Sequence, residues 1–218
     1  MEQIKINYTT VSESVYLWIK NAIINGDLKA GERLVQEDLT QNLGVSRTPV
    51  RDAFKRLESE GLVINRPRYG AVVFQPSKEQ LVEIYKIRTL IEQYCVENTC
   101  KLASDKELDN INKINKQMGK IPPAANEYML LDFRFHKKIC ELSGCTSVTM
   151  EILEGLWNKC SSFKSLYFSL LGKPLDTMKM HGKIVEHLIK RDAARAKIAV
   201  AEHYEDVVRS IENSLFLK

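Results

Sequence analysis

The chain has 218 residues, of which 44% are hydrophobic and 28% charged, and its formal net charge is +4 at pH 7. This length has room for two modest domains, and the composition is typical of a globular protein and excludes a largely disordered chain. A charge of +4 is only mildly basic, so total charge alone does not identify a nucleic-acid-binding protein.

No apolar run is long enough to span a bilayer, and the N-terminal residues lack the basic and then apolar order of a signal peptide. These features predict a cytoplasmic protein without a membrane partner. The cysteines show no C-x-x-C spacing, and we expect reduced thiols that act as small core residues. They are Cys95, Cys100, Cys140, Cys145 and Cys160.

The N-terminal region begins with two predicted helices. Val11 to Asn25 has a helical apolar face, which Gly26 ends, and a connector over residues 28–34 leads to a short helix from Gln36 to Leu43. The apolar face predicted for the first helix consists of Val11, Val15, Trp18, Ile19, Ala22 and Ile23.

The next segment, from Asn42 to Gly70, is predicted to be a DNA-reading helix followed by a β wing. Gly44 ends the second helix, and Ser46 is the predicted N-cap of a third helix that extends to Glu60. The buried stripe of this helix consists of Val50, Phe54 and Leu57. A recognition helix places its base-reading side chains off that stripe and near the N-terminus. The residues at those positions are Arg47, Thr48 and Arg51.

Two runs rich in β-branched residues, Leu62–Ile64 and Ala71–Phe74, predict the strands of the wing. The turn between them carries Arg66, Arg68, Tyr69 and Gly70. In isolation this would be a surface turn kept soluble by its arginines, but beside the two helices contact with phosphates or the minor groove is the better interpretation. Residues 44–70 also contain six Lys or Arg against three acids, as phosphate contact requires.

The N-terminal sequence resembles the DNA-binding domain of the GntR family of bacterial transcription regulators. The resemblance covers most of residues 11–74 and rests on Gly31–Leu34, Leu43–Ala53, Gly61–Val63 and Pro67–Gly70. It implies a winged helix-turn-helix in which Arg33, Arg47, Thr48 and Arg51 contact operator DNA and the tip near Gly70 reaches a groove. Arg47 and Arg51 lie about one helical turn apart, so each can reach a guanine edge or a phosphate.

A domain boundary is predicted around residues 75–80, between a DNA-binding domain (1–75) and an all-helical domain (76–218). Pro76 ends the wing, and Ser77 with Gln80 has the capping-box spacing that begins a long helix. The chain is therefore expected to be mainly α, a helical bundle following the winged domain. After two helices up to residues 102 and 118, helices are predicted at about Ala124–Leu142, Ser147–Leu171, Leu175–Lys190 and Ala193–Leu215.

Asp132 and His136 share one helix face at i,i+4 spacing, which by itself is more often a surface pair than a metal site. His181 lies ten residues before Arg191, and His203 lies eleven after Asp192. If their helices are antiparallel, both rings lie at a similar height and can face Asp132 and His136 on a third helix.

Three imidazoles and one carboxylate suit a divalent transition metal, with zinc the first choice and nickel or manganese as alternatives. His187 is on a different face of its helix and is not predicted to be a ligand.

These four metal positions resemble the pattern of the C-terminal ligand domain, the FCD domain, of the FadR-like branch of the GntR family. The resemblance implies an all-helical domain that forms a homodimer and binds small organic acids or fatty acyl compounds, here with a metal. It also implies that Arg88 lines the cavity and pairs with an effector carboxylate; the alternative is a surface salt bridge with Glu92. Lys159, Ser161 and Ser162 replace arginines usual in the family, so effector identity does not carry over.

The leading hypothesis is a ligand-responsive repressor that binds double-stranded operator DNA as a dimer and senses a small organic acid through a metal-containing pocket. It would act in the bacterial cytoplasm, on the nucleoid when bound. Two alternatives stay open: a purely structural metal, and a metal-dependent hydrolase fused to a DNA-binding domain. We expect no enzyme, because no glutamate base is evident beside the ligands and four protein ligands favour a closed site.

Overall fold

The chain forms two compact units that divide between Gln75 and Pro76. The computed structural model describes residues 10–122, 126–171 and 175–213, with the side chains of residue 126 and of residues 162–171 and 175–176 left aside. Within this part of the chain, the fold is a winged helix-turn-helix followed by a helical bundle, as the sequence predicts. None of its helices is both long enough and apolar enough to pass through a bilayer.

The first unit combines three described helices with a small antiparallel sheet in the order β1-β3-β2. The elements are α1 (Val11–Asn25), β1 (Arg33–Leu34), α2 (Gln36–Leu43), α3 (Arg47–Ser59), β2 (Val63–Arg66) and β3 (Gly70–Val73). The sequence prediction missed β1, because two residues carry no recognisable alternation. Arg33 pairs with Val72 in this strand, which attaches it to the wing.

Glycine and hydrophobic patterning position the recognition helix. Gly44 ends α2 in the left-handed conformation with φ of 64°, where a side chain would be strained. Val50 and Leu57 are fully buried under α3, while Phe54 is only half-buried. Ser46 occupies the N-cap position of α3 as predicted, but its side chain makes no capping hydrogen bond.

The inward face of α1 differs from the prediction. Val11 and Trp18 are 57% and 47% exposed, whereas Tyr16, which the prediction left out, is 4% exposed. The aromatic ring of Tyr16 is buried while its hydroxyl donates to Glu60. A side chain with a polar end therefore occupies the inward face of α1, which the prediction assigned to apolar residues only.

The second unit contains six described helices around one core. They are α4 (Lys78–Leu102), α5 (Asp105–Met118), α6 (Asn126–Leu142), α7 (Ser147–Leu171), α8 (Leu175–Ile189) and α9 (Ala193–Glu212). The Ser77 and Gln80 capping box begins α4 as predicted. Ile87 is 40% exposed, because α4 turns Tyr85 and Arg88 into the core. The predicted extensions at residues 124–125 and 214–215 lie outside the described residues.

The turn between α8 and α9 aligns these two helices. Arg191 has φ of 58°, and the Asp192 side chain accepts from the Arg195 N–H at 3.0 Å, which caps α9. Because α9 packs against both α4 and α8, residues from three helices reach one region of the bundle interior.

Candidate nucleic-acid interface and metal centre

The residues predicted to contact DNA are all exposed. They are Arg33, Ser46, Arg47, Thr48, Arg51, Arg66, Arg68, Tyr69 and Gly70. Arg66 and Gly70, predicted as part of the wing tip, pair with each other at the end of the strands, so Pro67, Arg68 and Tyr69 form the turn. Arg68 has φ of 63° at this turn.

The wing and the recognition helix form the two walls of one groove. Arg51 and Lys55 line it from α3, and Asn65 and Tyr69 line it from the wing. The prediction did not include Lys55 or Asn65, although Lys55 follows Arg51 by one helical turn. A basic groove with an amide side chain suits both phosphate contact and base-edge contact.

Two arginines of this surface are already held in place in the free protein. The Arg33 guanidinium lies 4.9 Å from the centre of the Tyr69 ring, a cation–π contact between β1 and the wing turn. Arg47 Nη2 lies 2.6 Å from Glu37 Oε2, although both side chains are exposed. Gln36 Nε2 also donates to the Arg47 carbonyl at 3.1 Å, which ties α2 to the first residue of α3.

In the helical unit, the three histidines predicted as ligands converge. His136 on α6, His181 on α8 and His203 on α9 each offer a ring nitrogen, and these atoms lie within 4.8 Å of one another. The rings of His181 and His203 have centroids 4.6 Å apart, so the two antiparallel helices do place them at one height. All three side chains are buried. His187 is half-buried on α8 and is not in the cluster.

Asp132 lies beside this cluster, one turn before His136 on α6. Its Oδ1 is 3.6 Å from His181 Nε2 and 3.9 Å from His136 Nε2, and the residue is 2% exposed. His136 Nε2 is buried and has no hydrogen-bond partner among the described residues. Imidazole nitrogens and a carboxylate oxygen in one buried region, with an unsatisfied nitrogen among them, fit a divalent transition metal.

Glu92 organises the opposite side of His136. His136 Nδ1 is 2.9 Å from Glu92 Oε2, and the Tyr204 hydroxyl donates to the same oxygen at 2.7 Å. Arg88 Nη2 and Trp157 Nε1 lie 3.0 Å and 3.1 Å from the other oxygen, Oε1. Burial alone would raise the pKa of Glu92, but the Arg88 charge and the contacts with His136 and Tyr204 hold it well below its usual range.

The sequence analysis found no glutamate base beside the ligands, and the structure places one glutamate, Glu92, against His136. Glu92 contacts His136, but on Nδ1 and with both oxygens occupied, so it fixes the ring's orientation rather than serving as a free base. Sequence analysis missed Glu92, Tyr204 and Trp157 as parts of this site. The available signal was the i,i+4 spacing of Arg88 and Glu92, which the sequence analysis considered only as a surface salt bridge, the alternative to a cavity-lining Arg88.

Arg88 is paired with Glu92, but inside the bundle. The residue is 0% exposed, and its Nη2 donates to the Tyr204 hydroxyl at 2.6 Å as well as to Glu92. Burial would lower the pKa of Arg88, but the neighbouring Tyr204 and Glu92 raise it well above its usual value, so the guanidinium is charged. Arg88 Nη1 is buried with no partner among the described residues.

The architecture defines a DNA-binding protein with a separate helical unit, and comparison with known families specifies which one. Residues 11–73 match the family of bacterial regulatory proteins called the gntR family, and residues 83–206 match the FCD domain. The chain therefore belongs to the GntR family of transcriptional regulators and carries an FCD domain, as the sequence resemblance predicts.

Characterised and uncharacterised regulators share this organisation. The HTH-type regulator YdhC of Bacillus subtilis is 28% identical over 87% of this chain and 85% of its own length. The gluconate operon transcriptional repressor of the same species is 25% identical over 89% of this chain and 82% of its own length. The solved structure of Escherichia coli McbR/YncC has a TM-score of 0.82 at 21% identity, covering 94% of this chain and 98% of that one, and shows the shared fold.

Proposed function

We propose that this chain is a homodimeric repressor whose affinity for operator DNA changes when a small organic acid binds at a metal site in the helical unit. The observation that carries the proposal is the convergence of His136, His181 and His203 in a domain attached to a DNA-reading module. A regulator needs a DNA surface and a site for a signal, and this chain contains candidates for both.

On the DNA side, Arg47, Thr48 and Arg51 would read base edges while Arg66 and Arg68 contact the backbone. A single winged unit reads only one short half-site, and two copies on a palindromic operator provide the affinity and specificity that a regulator needs. Repression is the direction that the names of two relatives suggest, since the gluconate operon protein and RspR of Escherichia coli are both repressors.

In the helical unit, His136, His181, His203 and Asp132 would hold the ion, with zinc the first choice and nickel or manganese as alternatives. A bound ion would supply positive charge and, where it accepts more than four ligands, positions for a carboxylate oxygen. Arg88 would supply the second anchor through Nη1, which has no partner among the described residues. A guanidinium and a metal cation together select an anionic ligand, because buried positive charges need negative charge beside them.

The structure favours a sensor over a hydrolase. A hydrolytic site needs a base with a free lone pair near the attacking water, and both Glu92 oxygens already accept hydrogen bonds from buried donors.

The second candidate is a purely structural metal, favoured by the burial of every candidate ligand. In that case chelation would weaken the fold, and no acid would alter DNA binding.

The experiment is a thermal-melt screen of the full chain against mono-, di- and tricarboxylates, with and without a chelator. A ligand that binds only the folded state raises the melting temperature according to its affinity and concentration. We expect one acid class to raise it, chelator to abolish the rise, and His181→Ala to behave as chelated protein. His187→Ala, on the same helix but outside the cluster, is the matched control and should keep the response.

Two results would count against this function. If chelator lowers the melting temperature while no acid shifts it, the metal is structural. If metal-loaded protein turns over carboxylate esters or amides and His181→Ala abolishes that turnover, the site is catalytic.

The acid found in the screen is then tested in a DNA-binding assay. The operator for this assay is selected from random DNA with the wild-type protein, and the acid is expected to change its affinity.

A further inference from the structure

Cys95 lies together with two cysteines from a distant part of the sequence, Cys140 and Cys145, beside the candidate metal centre. Cys95 on α4 and Cys140 on α6 share a small core cluster with Leu153 and Trp157 of α7, and Cys145 packs against it from the α6–α7 turn. The Cys95 side chain interacts with those of both Cys140 and Cys145. The proposed regulation does not use any of these thiols.

The turn that carries Cys145 is well defined. Ser143 Oγ donates to the Cys140 carbonyl at 2.6 Å and accepts from the Cys145 N–H at 3.2 Å. Gly144 has φ of 66°, which lets the chain reverse directly after α6. The Cys145 sulfur lies 3.4 Å from the Cys140 carbonyl oxygen, so the turn directs this side chain back towards the cluster.

The three thiols differ in accessibility and in acidity. Cys95 and Cys140 are fully buried, whereas Cys145 is half-buried and reachable from solvent. Hydrogen bonding with Cys140, Ser143 and Cys145 outweighs burial and lowers the pKa of Cys95. Burial raises the pKa of Cys145. Solvent therefore reaches Cys145 first, and the more acidic thiol lies behind it.

We propose that Cys145 and Cys95 form a reversible disulfide when the protein meets hydrogen peroxide, with Cys145 oxidised first and Cys95 as the resolving thiol. The Cys145 sulfur attacks the peroxide, the O–O bond breaks, and the products are a sulfenic acid and one water. The Cys95 sulfur then attacks the Cys145 sulfur, the S–S bond forms as the S–O bond breaks, and hydroxide leaves with the Cys95 proton as a second water. The thiols lose two electrons and two protons, and the peroxide gains them.

The bond would join α4, which carries Glu92, to the turn that follows α6, the helix that carries His136. Cys95 lies three residues after Glu92, and Cys145 lies nine after His136. Oxidation would therefore restrict the movement of α4 relative to α6, and the Glu92 to His136 contact depends on these two helices. The domain would then respond to peroxide separately from metal and acid.

The test exposes the full-length reduced protein to hydrogen peroxide, blocks the remaining thiols and maps peptides by mass spectrometry without reduction. We expect one peptide pair linked through Cys145 and Cys95, lost on treatment with dithiothreitol. Cys145→Ser should abolish the pair, whereas Cys160→Ser, which removes a buried cysteine that lies outside this cluster, should retain it. The assay requires neither operator nor metal, so its outcome is independent of the proposed function.

Three outcomes would overturn the proposal. A bond between Cys145 and Cys140 would exclude Cys95 as the resolving thiol. Sulfinic or sulfonic acid at Cys145 without any linked peptide would mean that no partner thiol can reach it. Persistence of a Cys95 disulfide in Cys145→Ser would show that the accessible thiol is not needed. Because the decisive map is made on the wild-type chain, poor folding of a variant does not affect it.

Discussion

His136 Nδ1 lies 2.9 Å from Glu92 Oε2, and both side chains are buried. A carboxylate at Nδ1 favours the neutral tautomer that carries its proton there, which leaves the Nε2 lone pair for a metal. The contact therefore prepares one ring of the histidine cluster for coordination.

The first prediction concerns this contact. Glu92→Gln keeps the shape of the side chain but removes the charge that orients the His136 ring, so we expect zinc affinity to fall by about 10- to 100-fold. The measurement is competition with a chromophoric chelator. Glu97→Gln, five residues further along α4 and away from the histidines, should leave zinc affinity unchanged. Equal affinity in wild type and Glu92→Gln would show that Glu92 serves only the packing of α4.

The second prediction concerns the recognition helix. Arg47→Ala should reduce affinity for a selected operator by about 10- to 100-fold, as expected for loss of a bidentate base contact. The ion pair with Glu37 competes with DNA in the free protein, so Glu37→Gln should strengthen binding modestly, by less than about 5-fold. Fluorescence anisotropy at fixed salt measures both. Arg134→Ala, an exposed arginine in the helical unit, is the control, and an unchanged Arg47→Ala affinity would remove Arg47 from the interface.

A third prediction concerns stability at the α8–α9 turn. Arg191 donates to the carbonyls of Cys100 and Ala103 at the end of α4, so Arg191→Ala should lower the free energy of unfolding by about 1–3 kcal/mol. Asp105→Asn removes only an exposed ion pair, and its effect should stay below about 0.5 kcal/mol. Arg191→Gly should be less harmful than Arg191→Ala, because glycine relieves the φ of 58°. Urea unfolding followed by circular dichroism distinguishes these results.

The fourth prediction is a pH dependence in the winged unit. Burial would raise the pKa of Glu60, but Lys20 and the Tyr16 hydroxyl lower it below the usual value of 4.5. A carboxyl whose pKa is lower in the folded state stabilises the fold above its unfolded pKa and loses that effect as the pH falls through the folded value.

Wild type should therefore exceed Glu60→Gln in unfolding free energy by about 1 kcal/mol near neutral pH, and the difference should shrink below about pH 4. Urea titrations at several pH values test this, with the exposed Glu58→Gln as the control. A difference that stays constant down to about pH 3 would show that the charge of Glu60 is not responsible.

Local signals explain which elements the sequence predicted well. The bounds of α1, α2 and α7 agree with the prediction, because apolar periodicity and glycine stops act over a few residues. The short strand β1 was missed, because its pairing with β3 depends on residues almost forty positions away. Tyr16 was missed for a similar reason, since its burial depends on the hydroxyl reaching Glu60, which follows the last residue of α3.

The sequence by itself determined the order of helices and wing, the exposed arginines of the recognition helix, and the histidines that are candidate metal ligands. These features follow from local periodicity and residue type. Only the tertiary structure decided that Arg88 and Glu92 are an internal pair. Their i,i+4 spacing is the same on an exposed face of a helix as on a buried one. The packing of α6, α7 and α9 against α4 brings His136, Trp157 and Tyr204 to Glu92, and these partners make its burial as an anion possible.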